Sequence, residues 1–252
     1  MLTRDELEEY KSVLGFNVWQ VERDYLQHLL LLYVYRRVGG GLVFKGGTAL
    51  QKALALNRFS IDLDFTSTDD GIGGLTEEIA RDITSFGFLT RLEKSESTET
   101  TEVMKAKIEG PLYDGSDRSV TTLRLEVSLR GDVFLDPVAK EIVPVYADLR
   151  PYMVVMMDLR EMLAEKVRAL MRRADPRDLY DLWFLTRKKV DWDIALLNKK
   201  LSYYDVKFDK EEFLREVSGH KEAWLVELGA TVSVLPPFEV VELDIRQAVA
   251  AL

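Results

Sequence analysis

The chain has 252 residues, of which 47% are hydrophobic and 31% are charged, and its formal net charge is −9 at pH 7. This length suits one large domain or two modest ones, and the negative charge excludes a general electrostatic attraction to nucleic acid. The absence of cysteine excludes disulfides and thiolate metal sites, and with only two histidines a histidine-rich zinc site is not expected.

The first part of the chain mixes helix and strand patterns. Its opening stretch, MLTRDELEEYKS, is too charged for a signal peptide, and no apolar run approaches the roughly 20 residues that cross a bilayer, so we expect a cytoplasmic protein without a membrane partner. Hydrophobic spacing predicts helices over residues 4–14, 19–38 and 76–88, and a helix opened by the two glycines at 46 and 47. Strands are predicted over residues 42–44, 59–66, 101–113 and 120–130, the last two joined by a hairpin loop.

From about residue 150 the pattern is helical. Strong helices are predicted over residues 159–173 and from Asp175, which is placed as an N-cap before Pro176, and a loop and helix close the chain over residues 234–252. We therefore predict two domains, an α/β core over residues 1–150 and a helical domain over residues 151–252.

Two aspartates stand close together in the alternating stretch FSIDLDFTS. If residues 59–66 form a strand, Asp62 and Asp64 project from one face about 7 Å apart and repel each other unless a cation lies between them. Mg²⁺ prefers a few carboxylates together with substrate phosphate oxygens. Glu126, in the alternating run TLRLEVSL, completes an acidic cluster if its strand is a neighbour. The alternative is that both aspartates simply lie on the solvated face of a half-buried sheet.

Two adjacent glycines precede the aspartates by about fifteen residues. Gly46 and Gly47 follow a strand and open a helix, where the backbone approaches a ligand closely and the helix N-terminus favours an anion. Alone, the pair is better explained by an ordinary tight turn. The order strand, glycine pair, helix, strand with D-x-D is more specific, and it resembles the polymerase-β-like nucleotidyltransferases.

Four segments narrow this resemblance. FKGGTALQKAL, RFSIDLDF, LAEKVRAL and RDLYDLWFL, in this order, resemble the AbiEii/AbiGii group of nucleotidyltransferase-like proteins, which includes the MenT-type toxins. The resemblance implies an α+β fold, with a polymerase-β-like core built on a mixed sheet and a helical C-terminal region. It also implies NTP-dependent nucleotide transfer with Mg²⁺ or Mn²⁺, an RNA acceptor such as the tRNA 3′ end, and in many members a cognate antitoxin protein.

The resemblance also implies roles for particular residues. Asp62, Asp64, Lys166 and Asp178 are predicted to be catalytic, with Asp62, Asp64 and Glu126 as metal ligands. Nucleotide-binding roles are predicted for seven residues: Lys45, Gly46, Gly47, Thr48, Arg58, Ser60 and Asp181. Lys166 is expected to supply a positive charge during transfer, and Asp178 to hold Lys166 or to contact the base or ribose.

Other interpretations remain open for several of these residues. Without the resemblance, Lys166 is better explained as a residue on a solvated helix face. Arg177 and Asp178 are equally explained as a charge pair at a helix end, and His28 fits a core histidine. Residues 160–177 carry six basic against three acidic side chains, which favours a polyanionic acceptor such as RNA. The competing functions are transfer to a small molecule or protein, and a non-catalytic partner-binding member of the fold.

Overall fold

The computed structural model describes residues 1–68, 72–173 and 175–252. The chain divides into two compact units. We call the first the sheet unit; it comprises Met1–Ala53, Phe59–Gly131 and Pro137–Met156. We call the second the helical unit; it comprises Leu54–Arg58, Asp132–Asp136 and Met157–Leu252. That residues 1–150 and 151–252 are separate domains stays a prediction.

The sheet unit is built on one seven-stranded mixed sheet in the described part of the chain. Its strands are β1 (Leu42–Lys45), β2 (Leu63–Ser67), β3 (Thr90–Ser97), β4 (Thr101–Ile108), β5 (Thr121–Ser128), β6 (Val138–Ile142) and β7 (Tyr152–Met156). The strand order is β3-β4-β5-β2-β1-β7-β6. The β2–β5 and β1–β7 pairs are parallel, and the other neighbours are antiparallel. The predicted α+β fold with a mixed sheet is confirmed.

Four helices belong to the sheet unit, apart from the last residue of α3: α1 (Arg4–Leu14), α2 (Val18–Val38), α3 (Gly46–Leu54) and α4 (Thr76–Phe86). Reciprocal capping boxes begin α1 at Thr3 and α2 at Asn17. α2 is buried over most of its length, as its apolar composition predicts. His28 lies in this core, with Nδ1 2.9 Å from the Tyr152 hydroxyl, and burial lowers the pKa of His28 to about 3. The core-histidine interpretation is thus supported.

The helical unit contains α5 (Leu159–Leu170), α6 (Pro176–Arg187), α7 (Ile194–Leu201), α8 (Lys210–Gly219), α9 (Lys221–Leu228) and α10 (Phe238–Ala250). Asp175 caps α6 by accepting a hydrogen bond from the Arg177 N–H, as predicted. A fully buried lysine, Lys200, joins α7 to α5 through Glu161 at 2.7 Å and Glu165 at 2.9 Å. Within the described residues, none of the helices is long and apolar enough to span a membrane.

Short 3₁₀ turns cover Gly73–Leu75, Asp117–Ser119 and Ser202–Tyr204. Three strands, β3, β6 and β7, are absent from the sequence-based prediction, and β7 lies just beyond residue 150. The predicted strand over residues 59–66 is wrong in its first half, because β2 begins only at Leu63. Ile61 is 42% exposed and Ser60 is buried, so the alternation of apolar and polar faces predicted for FSIDLDFTS does not hold before Leu63.

Candidate active site

Three predicted residues form a row across three neighbouring strands of the sheet unit. Asp64 on β2 is the register partner of Lys45 on β1 and of Glu126 on β5. Directly paired residues place their side chains on the same face of a sheet, so the three side chains are neighbours on one face. The strand adjacency that Glu126 required is therefore present. Its carboxylate also forms an ion pair with Arg124 at 2.7 Å.

Asp62 lies immediately before β2, on a segment whose backbone is held by side chains instead of a neighbouring strand. The Gln27 amide, on α2, donates hydrogen bonds to the carbonyls of Ser60 (3.0 Å) and Ile61 (2.9 Å). The Ser60 N–H donates to Gln51 Oε1 on α3 at 3.0 Å, and the Thr48 hydroxyl bonds the Asp62 carbonyl. These contacts explain why the strand starts late: side chains already occupy the backbone groups that a sheet ladder needs.

Gly46 opens α3 in a conformation that requires glycine. Its φ is +74°, and a Cβ built on it would collide with Oδ2 of Asp64. Any other side chain would therefore be strained and would displace the carboxylate. Gly47, one residue on, is buried in the first turn of the same helix. The glycine pair, the helix N-terminus and Asp64 thus form one local arrangement, as the motif spacing predicts.

The hydroxyl groups of Thr48 and Ser60 face each other at 2.7 Å, and both residues are buried. Their contacts hold the backbone before Asp62. A nucleotide-binding role for Thr48 and Ser60 stays a prediction.

Basic side chains also lie near the aspartates. Arg23, on α2, donates from Nη1 to the Thr122 carbonyl at 2.8 Å. Burial lowers the pKa of Arg23, although the charge of Asp62 acts in the opposite direction. Sequence analysis missed Arg23, Gln27 and Gln51. The available signal was the presence of polar residues inside α2, a helix that its composition marks as buried.

The donors suit a hard cation. Carboxylates are the protein ligands that Mg²⁺ and Mn²⁺ prefer, and Mg²⁺ is often held by one or two of them plus substrate phosphates. The carboxylate of Asp64 occupies the space that a side chain at position 46 would fill. Gly46 therefore makes room for a charged group, besides allowing the backbone to turn. Within the described residues, no three acidic or histidine side chains are grouped as a metal site. Glu126 as a third ligand stays a prediction.

The helical unit brings four other predicted residues together in a buried cluster. Asp181 accepts two hydrogen bonds from Arg58, each 2.9 Å long, and lies 2.7 Å from Lys166 Nζ. Lys166 also binds Asp178 at 2.9 Å. We call Arg58, Lys166, Asp178 and Asp181 the ion-pair cluster. The interpretation of Lys166 as an ordinary solvated helix residue is wrong, since only 12% of its side chain is exposed.

The charges of the ion-pair cluster stabilise one another. Burial opposes the charge of Lys166, but Asp178 and Asp181 outweigh it, and the pKa of Lys166 is raised. Burial also opposes ionisation of Asp178, yet Lys166 and Arg173 lower its pKa to about 2. The alternative interpretation paired Asp178 with Arg177. In the structure Asp178 pairs with Lys166 and Arg173, and Arg177 pairs with Asp175 at 2.7 Å.

Residues 160–177 have an excess of basic side chains, but carboxylates outside this range neutralise most of it. Arg160 pairs with Asp158, Lys166 and Arg173 pair with Asp178, and Arg168 pairs with Asp132. Arg172 differs: its guanidinium lies over the Tyr204 ring, 4.4 Å from the centroid. The local positive charge is therefore smaller than the sequence suggests.

Comparison with known proteins identifies a family whose model matches most of the chain. The model of the nucleotidyl transferase AbiEii toxin family, of type IV toxin–antitoxin systems, matches residues 31–248. The structure resembles MenT4, a nucleotidyltransferase toxin from Mycobacterium tuberculosis H37Rv, with a TM-score of 0.71 and 20% identity over 99% of this chain and 89% of MenT4. It also resembles JHP933 from Helicobacter pylori, with a TM-score of 0.61 and 17% identity over 94% and 92% of the two chains. The sequence matches none of the curated proteins. At these identities the two structures establish the fold, and the family model extends over most of the chain.

Proposed function

The chain belongs to the nucleotidyl transferase AbiEii toxin family of type IV toxin–antitoxin systems, and from this premise we propose that it transfers NMP from an NTP to RNA. The observation that carries the proposal is the arrangement of Gly46, Asp64 and Asp62 at the start of α3 and β2. The tRNA 3′ end is the acceptor that we test first.

Asp62 and Asp64 are the proposed ligands of Mg²⁺ or Mn²⁺. When bound, such an ion neutralises negative charge on the α-phosphate and on the departing pyrophosphate. The acceptor hydroxyl loses its proton to solvent and its oxygen forms a bond to the α-phosphorus, while the bond from that phosphorus to the pyrophosphate oxygen breaks. Asp62 and Asp64 are separated by one residue, so a single short segment of the chain provides two carboxylates as oxygen donors for the ion.

The N-terminus of α3 is the proposed phosphate site. Its first backbone N–H groups have no partner within the helix and carry partial positive charge. Gly46 and Gly47 keep side chains out of this end, and Lys45 adds a cationic side chain on the strand face that carries Asp64. These features support binding of the triphosphate in this part of the sheet unit.

Lys166 and Asp178 keep their predicted catalytic roles as part of the proposal. The raised pKa of Lys166 keeps its ammonium charged throughout the physiological pH range. A positive charge of this kind stabilises a phosphoryl group that gathers negative charge. Arg58 and Asp181 are bonded to each other, and their proposed contribution to nucleotide binding is to hold Lys166.

An RNA acceptor requires local positive charge in a chain of net charge −9. One face of the sheet carries exposed basic residues on β3 and β4, namely Arg91, Lys105 and Lys107. Lys107 is paired with Glu93 and Arg124 with Glu126, and Arg124 on β5 is the register partner of Lys105 on the same face. In the helical unit, Arg172 and Arg173 add exposed guanidinium groups. These residues support a polyanionic acceptor more directly than the overall charge does.

Membership of a type IV toxin family implies a cognate antitoxin as a partner. We propose that the protein acts on RNA in the cytoplasm and that the antitoxin counteracts this activity.

Labelled NTPs provide the test. The purified protein is incubated with Mg²⁺, total RNA and each α-³²P-labelled NTP in turn, and the products are separated on a denaturing gel, with EDTA as the control. We expect EDTA-sensitive label in the tRNA band. Label on protein or on a small molecule would favour the competing transferase activities, and no label from any NTP would favour a non-catalytic member of the fold.

A further inference from the structure

We propose that Gln27 and Gln51 are positioning residues that fix the Asp62 carboxylate for metal binding, and that Asp24 sets the orientation of Gln51. This inference rests on the proposed function, since it assumes that Asp62 binds the metal ion. None of these three residues is one of the two aspartates or the two glycines on which the family resemblance was based. They act through the backbone of residues 60–62, which we call the Asp62 segment.

The Asp62 segment is held at four backbone groups, one N–H and three successive carbonyls. Gln27 donates to two carbonyls, those of Ser60 and Ile61, and Gln51 accepts from the Ser60 N–H. Thr48 bonds the next carbonyl, that of Asp62 itself. Gln27 and Thr48 are fully buried, so these contacts exchange little with water. The backbone of Asp62 is therefore fixed by α2 and α3 before β2 begins.

A buried carboxylate decides which way the Gln51 amide points. Gln51 Nε2 donates to Asp24 Oδ1 at 3.1 Å, which leaves Oε1 as the atom that faces the Ser60 N–H. Asp24 is itself held by Lys52 and by the Tyr146 hydroxyl, the latter at 2.8 Å. A flipped amide would bring its oxygen against the carboxylate and its N–H₂ against the Ser60 N–H. The network thus allows one orientation of Gln51.

Gln27 has a feature that stability alone does not explain. Its Oε1 is buried and has no hydrogen-bond partner within the described part of the chain. An unpaired buried acceptor is unfavourable. The amide group is nevertheless placed where both of its N–H bonds reach the Asp62 segment. An unpaired acceptor together with two used donors is expected of a side chain whose N–H groups hold the backbone next to a functional site.

The test compares Gln27→Met and Gln51→Met with Tyr35→Phe. Both methionine variants keep side-chain length and remove the contacts to the Asp62 segment. Tyr35 is a matched control on the same helix as Gln27, because its hydroxyl also serves two backbone carbonyls, of Leu42 at 2.9 Å and of Val155 at 3.1 Å. Mn²⁺ binding to the metal-free protein is measured by electron paramagnetic resonance, beside nucleotide transfer and hydrogen exchange of the Ser60 amide.

We expect each methionine variant to weaken Mn²⁺ binding by about 10-fold or more, the usual scale for groups that orient metal ligands, and to lower kcat more than it changes the KM for NTP. Exchange of the Ser60 amide should accelerate in Gln51→Met, and Tyr35→Phe should bind Mn²⁺ as the wild type does. If both methionine variants bind Mn²⁺ with wild-type affinity, or if the wild type binds none, the positioning role is overturned. A wild type that binds Mn²⁺ tighter than the variants but transfers no nucleotide overturns the proposed function and leaves the positioning role supported.

Discussion

The Asp62 segment and the ion-pair cluster hold charged side chains in opposite ways. Around Asp62 the backbone is fixed by neutral side chains, Gln27, Thr48 and Gln51, and the carboxylate is partly exposed. In the ion-pair cluster the charges themselves form the contacts, and Arg58, Asp178 and Asp181 are almost completely buried. The first arrangement keeps a carboxylate positioned for a ligand, whereas the second satisfies its charges internally.

This difference predicts which property each region controls. A carboxylate held by its backbone is replaceable without loss of packing, so its substitution should affect function and spare stability. A charge inside a buried cluster is not replaceable in this way, because its partners would remain buried without compensation. Activity and stability therefore report separately on the two regions.

The largest expected effect is on activity at the aspartates. Asp62→Asn or Asp64→Asn should lower nucleotide transfer by about 10³-fold, because each removes a negative metal ligand at the reacting phosphate. The midpoint of urea unfolding should stay the same or rise slightly, since one of two like charges is removed. The measurements are transfer of labelled NMP and urea denaturation.

Glu126→Gln is the matched control for the aspartates. Its carboxylate is on the same sheet face but is paired with Arg124. A loss as large as that of Asp64→Asn would make Glu126 a third ligand. Wild-type turnover in either aspartate variant would contradict the two-carboxylate site.

Sequence patterns predicted the elements with strong periodicity. α5 and α6 have regular apolar spacing and side-chain N-caps, α2 is long and apolar on nearly all sides, and burial alternates along β5 and in the second half of β4. β3 was not predicted, because its sequence TRLEKSES contains only one apolar residue. Its pattern is that of an exposed edge strand. β7 has the opposite character, YMVVM, and a short apolar run does not distinguish a strand from a buried helix turn.

The candidate site was predictable as far as motifs extend. The glycine pair and D-x-D indicated that Gly46 and Asp64 belong together, and the structure places them in contact. The start of β2 was not predictable, because it depends on Gln27, which is distant in sequence. Likewise, the pairing of Arg58 with Asp181 spans 123 positions, a separation that local patterns do not encode.

The second prediction concerns stability in the ion-pair cluster. Asp181→Asn should lower the free energy of unfolding by about 3–5 kcal/mol, because Arg58 stays buried without its carboxylate. Replacement of both partners, Arg58→Met with Asp181→Leu, should recover much of this loss. Urea denaturation of the three proteins measures the effect.

An exposed ion pair in the same unit gives the control. Lys221 and Glu239 lie 3.0 Å apart, with more than half of each side chain exposed. Lys221→Met should change the free energy of unfolding by less than about 1 kcal/mol. An equal loss in Lys221→Met and Asp181→Asn would contradict the distinction between buried and exposed pairs.

The third prediction concerns acid. The pKa of Asp178 is about 2 in the folded protein, below its ordinary value of 3.8, so folding favours the ionised form. The resulting stabilisation, about 2 kcal/mol, is complete above about pH 5 and is lost as the pH falls through about 2. The difference in unfolding free energy between wild type and Asp178→Asn should therefore shrink between pH 5 and about pH 2, as measured by urea denaturation. A difference that is independent of pH would contradict the lowered pKa.

The smallest expected effect is at the edge of the cluster. Arg173 pairs with Asp178, whereas Arg172 lies over Tyr204 and has no carboxylate partner within the described residues. Arg172→Glu should therefore leave stability nearly unchanged and raise the KM for RNA by about 2–3-fold at low salt, because a phosphate contact releases counterions. The KM for NTP should not change.

Lys188→Glu separates this local effect from a change in net charge. Lys188 also lies over an aromatic ring, that of Phe184 at 5.0 Å, but it caps the far end of α6, about 18 Å along the helix from Pro176. Both variants change the net charge by the same amount, so RNA that binds near Arg172 should respond to Arg172→Glu alone. An equal rise in the KM for RNA in both variants would indicate general repulsion. If the contact is electrostatic, the increase in KM for Arg172→Glu should disappear above about 0.3 M salt. A KM for RNA that is insensitive to both salt and Arg172→Glu would remove Arg172 from the acceptor site and leave the exposed basic residues of β3 and β4 as the remaining candidates.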